Sequence, residues 1–218
     1  IDAVHYAPHG AIDVRALDCD FLTCSSYKFF GPHCGVLYGK REHLEKLRPY
    51  KVRPAPEKIP DRWETGTQNH EGQAGVVAAI NYLAELGRRT SPQAAGRRAQ
   101  LLAAYDAIRV YERSLSEHLI RGLLAIPGLT FYGIREPERF ELRTPTVGIR
   151  MKRQTPRQLA EYLGERGFFT WDGNYYAINL TERLGVEAGG GMLRIGLAHY
   201  NTVEEIERLL AALGELKP

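Results

Sequence analysis

Two short apolar runs with one lysine between them constrain this chain most. Phe21-Leu22-Thr23-Cys24-Ser25-Ser26-Tyr27-Lys28-Phe29-Phe30-Gly31-Pro32 leads into Gly35-Val36-Leu37-Tyr38-Gly39, and both flanks read as buried strands. Desolvation there penalises an ammonium and favours the neutral amine. A neutral lysine amine condenses with carbonyls, whereas a lysine at an open turn merely ends its strand. The local sequence alone leaves both readings open. The chain also opens on Ile1-Asp2-Ala3-Val4-His5, an acidic residue at a strand end followed by an imidazole. A carboxylate for a pyridinium nitrogen and a lysine for an aldehyde together suit pyridoxal phosphate.

The 218 residues allow one large domain or two small ones, and the net charge of +3 is spread along them. Basic residues thicken only at Arg88-Arg89 and Arg97-Arg98, solvated helix faces rather than the stripe that nucleic acid requires. No apolar run has the length of a bilayer span. Cys19, Cys24 and Cys34 match no common zinc spacing, so no metal is expected, and a reducing cytoplasm is the simplest compartment. The first residues already read as the middle of a strand, which predicts the C-terminal portion of a longer protein.

Residues 1 to about 40 are expected to run strand, one-turn helix (Ile12 to Leu17), strand, turn, strand. A charged helical segment follows from Lys40 to Pro49, and Pro54, Pro56 and Pro60 then enforce a loop. Helices are predicted over Gln73 to Leu86, closed by Gly87, and from about Ala94 to Ile126, ended by Pro127-Gly128. Beyond these, Thr146 to Met151 has strand spacing and Thr155-Pro156 opens a helix that ends near Gly167. Short strands are expected at Phe168-Phe169-Thr170 and Met192 to Leu197. Thr202 with Glu205 forms a capping-box signature for a last helix.

The stretch Asp13 to Phe21, with Ser25-Ser26-Tyr27-Lys28 and Gly31-Pro32, resembles the class V aminotransferase group of fold-type I pyridoxal phosphate enzymes. Within that group it is most similar to the cysteine desulfurase-like proteins. The resemblance covers nearly the whole chain and implies an α/β fold: the end of a large domain with a mixed, mostly parallel sheet, then a small α/β domain. It divides the chain into 1–90 (remainder of the cofactor-binding domain), 91–135 (helical connection) and 136–218 (small C-terminal domain).

Carried over by position, the resemblance makes Lys28 the Schiff-base lysine and Asp2 the partner of the pyridine nitrogen. His5 falls near the cofactor's ring oxygen, and Ser25 is a phosphate contact. Tyr27 replaces the histidine that commonly precedes the lysine and keeps a hydroxyl for the phosphate. Gly66 and Thr67, in Trp63-Glu64-Thr65-Gly66-Thr67-Gln68-Asn69, match a loop reaching the neighbour's phosphate across a homodimer interface; otherwise the segment is a polar turn capping the next helix. Arg194, inside an apolar strand, matches the arginine that grips an amino acid's α-carboxylate; an internal ion pair is its other reading. Gly189-Gly190-Gly191 precedes a strand, not a helix, and reads as a flexible lid or hinge.

Tyr176 stands where desulfurases carry a loop cysteine, and no cysteine follows Cys34. A phenol cannot take up a persulfide. The expectation is therefore a pyridoxal phosphate-dependent transferase or lyase acting on an amino acid as the intact protein, with these residues alone inactive. The rival is an inactive scaffold that keeps the fold, which Tyr27 and Tyr176 favour and the joint retention of Asp2, Lys28 and Arg194 opposes.

Overall fold

The computed structural model describes residues 1–216. The chain forms two compact units, Ile1–Ile108 and Arg109–Pro218. In the first, β1 (Phe21–Ser25) pairs antiparallel with β2 (Gly35–Gly39), Phe21 facing Gly39 and Ser25 facing Gly35. The expected opening strand shrinks to one parallel bridge, Asp2 to Thr23, where Ala3 N donates to Thr23 O at 2.8 Å. The expected helix at Ile12 to Leu17 is a single turn. Asp13 Oδ1 accepts from Arg15 N at 2.9 Å and Ala16 N at 3.1 Å, which holds the chain in a turn instead of propagating it.

The core beneath this sheet is small: Ala3, Cys19 and Leu22, with Ile12, Val14, Cys24 and Tyr38 packed on it. The flanks of Lys28 are less covered than their composition predicts. Gly35, Val36 and Leu37 of β2 are all exposed, because alternation and apolar content mark a strand without saying whether anything lies over it.

After α1 (Arg41–Lys46) and the proline loop, Asn69 caps α2 (His70–Thr90), its Oδ1 accepting from Gly72 N at 2.8 Å. The helix runs through Gly87, which therefore does not close it. A Cβ there would lie 1.7 Å from Gln100 O, so the missing side chain lets α2 approach the start of α3 (Arg97–Leu124). Tyr105 of α3 donates to Ala7 O at 2.9 Å and Arg98 meets Asp13 at 3.0 Å, fastening the opening segment.

The second unit is a four-stranded antiparallel sheet in the order β3-β4-β6-β5: β3 (Leu129–Tyr132), β4 (Thr146–Met151), β5 (Trp171–Gly173) and β6 (Met192–Gly196). Val147, Ile149 and Met151 of β4 and Leu193 and Ile195 of β6 are buried against Leu119 and Leu123 of α3. Leu159 and Leu163 of α4 (Pro156–Gly164) and Ile206, Leu209 and Leu213 of α6 (Val203–Gly214) complete that core. Both helices start with capping boxes: the predicted one, Thr202 with Glu205, and a second, Thr155 with Gln158, at a helix start that the sequence marks only by Pro156.

Four elements depart from expectation. The strand predicted at Phe168–Thr170 forms at Trp171–Gly173, and Phe169 is exposed instead. β3 and α5 (Ile178–Arg183) were not signalled, being too short to show a period. Gly189-Gly190-Gly191 is a clamped turn, not a loose lid. Arg150 donates to the carbonyls of Gly189 and Gly191, and a Cβ on Gly191 would lie 2.1 Å from Gly173 O.

Candidate functional site

Lys28 lies on a 3-10 turn, Ser26–Phe29, that ends β1. The turn is stapled by Ser26, which is fully buried. Its Oγ donates to Pro32 O and, at 3.1 Å, to Cys34 O, while its own carbonyl accepts from Gly31 N at 2.8 Å. Phe30 closes the turn in the left-handed region at φ 71°. Of the two adjacent serines the sequence could not say which faces inward; the turn's hydrogen bonding selects Ser26 as scaffold. Ser25 is left at the N-cap with no capping bond.

Lys28 is half-buried, not enclosed between covered strands. Its Nζ sits 4.9 Å from the centre of the Tyr27 ring, and Tyr27 stacks on His33 with centroids 4.7 Å apart and planes 15° from parallel. His33 thus backs the tyrosine, a role that its isolated place in the sequence did not signal. Asp2, exposed, is brought by its backbone onto β1 at Thr23, five residues before the lysine; its Oδ1 accepts from Val4 N at 2.9 Å. His5, exposed, follows in the same turn and meets His9 edge-on at 5.4 Å.

Gly66 and Thr67 lie on an exposed stretch ahead of α2. Gly66 has φ +145° and nothing within 4 Å of where a Cβ would be, so a backbone conformation rather than crowding calls for glycine there. Helix capping falls to Asn69.

In the second unit Arg194 occupies the middle of β6, between Gly148 of β4 and Trp171 of β5 in the register. It lies on the face opposite the helical core and is half-buried. Among the described residues it makes no ion pair, which removes the internal-pair reading. Its guanidinium instead lies 5.0 Å from the centre of the Tyr175 ring. Burial pushes the Tyr175 phenol well above the usual tyrosine range, partly offset by the Arg194 charge. Its hydroxyl donates to Met192 O. Tyr176 is fully exposed, and both tyrosines adopt left-handed backbone, φ 56° and 64°.

That turn is held from one side. Asn174 Oδ1 accepts from Tyr176 N at 3.2 Å and Asn174 Nδ2 donates to Glu187 Oε1 at 2.9 Å. The other oxygen of Glu187 accepts from the buried Thr181 hydroxyl. These bonds, Thr181 first, hold the Glu187 carboxyl below the usual glutamate range.

The family model for aminotransferase class-V matches residues 1–209. The chain belongs to the class V aminotransferase family. It is 30% identical over 217 residues to the "Aminotransferase-like protein FGM3" of Gibberella zeae, covering 98% of this chain and 50% of that protein. It is 31% identical over 226 residues to a cysteine desulfurase of Pectobacterium atrosepticum, covering 98% of this chain and 49% of the relative. The apo structure of a cysteine desulfurase from Thermococcus onnurineus NA1 superposes with a TM-score of 0.82 at 24% identity. That match spans 98% of this chain and 51% of the other, and it shows the shared class V fold. The chain thus spans about half the length of the curated class V relatives it matches. Among the described residues no helix is long and apolar enough to cross a membrane.

Proposed function

We propose that the intact protein is a pyridoxal phosphate-dependent enzyme acting on an amino acid, in the manner of an aminotransferase or a desulfurase-like lyase. The observation that carries this is the bridge that brings Asp2 onto the strand leading into the Lys28 turn. The residues fit the cofactor: Lys28 supplies the amine for its aldehyde, Asp2 a carboxylate for its ring nitrogen, and Ser25 and Tyr27 hydroxyls for its phosphate. His5, in the same turn as Asp2, would be the residue to meet the cofactor's ring oxygen. Gly66 and Thr67 offer backbone and hydroxyl donors to the phosphate held by a second subunit of a homodimer. When bound, the cofactor supplies an electron sink for bond cleavage at the substrate's Cα or Cβ.

The remaining chemistry belongs to the chain. Arg194, half-buried and without a carboxylate partner, takes the substrate's α-carboxylate in a two-pronged pair, which orients the amino acid. Lys28 would serve as the general base that takes the proton from the substrate's Cα, and the Tyr27 face, 4.9 Å from its Nζ, would be a resting place for its charge. Tyr176 supports transfer or elimination without persulfide formation, because its exposed side chain is a phenol where desulfurases present a thiol. We place the enzyme in the cytoplasm.

The chain alone is expected to hold the cofactor weakly, since it is about half the length of its relatives. The test is addition of pyridoxal phosphate to the chain and to the full-length protein, then borohydride reduction and peptide mass spectrometry. Full-length protein should label at Lys28 and lose the label in Lys28→Ala. Labelling that persists in Lys28→Ala would sink the assignment. No labelling of the full-length protein would favour the rival reading of an inactive scaffold.

A further inference from the structure

Arg194 raises a physical question that its expected role leaves unanswered. A guanidinium on four rotatable bonds, with no ion pair among the described residues, has no reason to hold one direction. Its guanidinium lies over the Tyr175 ring, 5.0 Å from the ring centre. That ring is where it is because the backbone is forced there. Tyr175 and Tyr176 both hold left-handed backbone, a conformation that bulky residues seldom adopt unless their surroundings impose it.

The surroundings here are specific. Asn174 bridges the Tyr176 amide and Glu187, Glu187 is tied to buried Thr181, and Ala177 N donates to Asn174 O at 2.7 Å. The Tyr175 hydroxyl is itself anchored on Met192 O, two residues from Arg194 along the same strand. Gly191, whose Cβ would collide with Gly173 O, brings the end of β5 against the start of β6 and fixes the origin of the turn.

We infer that Tyr175 is a positioning residue for Arg194: the strained Asn174–Ala177 turn exists to hold an aromatic face under the guanidinium, so that its outward edge is presented ready-oriented to a carboxylate. The orientation costs no ion pair, and the guanidinium keeps its hydrogen-bond donors free for the ligand. The inference rests on the reading of Arg194 as the carboxylate-binding residue, and Tyr175 acts on substrate only through it.

The experiment is NMR of the full chain labelled with 15N-arginine, following the Arg194 side-chain Nε–H signal, assigned by its loss in Arg194→Lys. Wild type and Tyr175→Phe should show an upfield ring-current shift, and Tyr175→Leu should lose it. L-Alanine, the probe amino acid, should move the signal in wild type and bind Tyr175→Leu about two- to fivefold more weakly. An Arg194 signal unchanged in Tyr175→Leu overturns the inference. So does loss of the shift in Tyr175→Phe, which keeps the ring. Should Tyr175→Leu fail to fold by circular dichroism, Asn174→Ala loosens the same turn and should reduce the shift; no change there also overturns it. A ring shift with no response to L-alanine in any variant leaves Tyr175 as the seat of Arg194 and rejects the carboxylate role itself.

Discussion

The two units solve the problem of burial differently. In Arg109–Pro218 the inward face of each long strand finds a helix: Ile149 and Leu193 are wholly buried against Leu119, Leu159 and Leu213. In Ile1–Ile108 the sheet has two strands over a core of Ala3, Cys19 and Leu22, while Val36 and Leu37 remain 42% and 55% exposed. The expected catalytic lysine belongs to the thinly covered unit and the expected carboxylate-binding arginine to the well-packed one. A domain's stability follows the apolar area it removes from water, so a lysine turn on a poorly covered sheet must be held by polar staples. Ser26 is that staple for Lys28, and the Tyr175 turn does the corresponding work for Arg194 where the core is already well buried.

The contrast can be broken by measurement. Leu119→Ala should cost about 3 kcal/mol, and the loss should be confined to the second unit. Hydrogen exchange is the readout: amides of β4 and β6 should lose protection while β1 and β2 hardly change. Equal loss in both units would mean that they unfold as one body.

Tyr105 sharpens the comparison from the other side. Burial, with smaller contributions from Cys24 and Tyr6, raises its phenol from 10.0 to about 12. The unfolded chain ionises first, so the stability that this group contributes is complete below pH 10 and is lost as pH rises through 12. It amounts to about 2 kcal/mol at the alkaline end. Urea unfolding followed by Trp63 fluorescence in a Trp171→Phe background reports the first unit, and the alkaline fall should flatten in Tyr105→Phe. An unaltered slope would remove Tyr105 as the clamp on the opening segment.

The smallest effect is expected at a helix end. Thr202→Ala removes the hydroxyl that accepts from Glu205 N at 3.3 Å and should cost about 1 kcal/mol. Because α6 is packed into the second core, exchange should quicken in its first turn and leave the sheet intact. Global loss of protection would show that the second unit has less reserve than its buried leucines indicate.

Much of the fold was legible because its signals are local. The Thr202–Glu205 capping box, the proline-enforced loop and the long α3 follow from residues a few positions apart. The candidate site divides along the same line. Lys28, Asp2 and Arg194 stand out as single residues in the wrong company, but Ser26, His33 and Tyr175 do not, since each matters only through a neighbour brought by folding. The same blindness made Gly87 look like a helix end and Gly189–Gly191 a lid; both are places where backbone must pass close to backbone.

The sequence by itself determined where the chain turns, that the last helix begins with a cap, that an amine stands between two short apolar runs, and that no thiol follows Cys34. Only the tertiary structure decided that β2 stays exposed, that Arg194 rests on Tyr175 instead of a glutamate, and which serine holds the lysine turn. The reason is range. Backbone preferences and capping bonds act over a few residues and are written beside one another. Burial and side-chain partnership depend on segments far apart in the chain, and their pairing is a property of the folded whole.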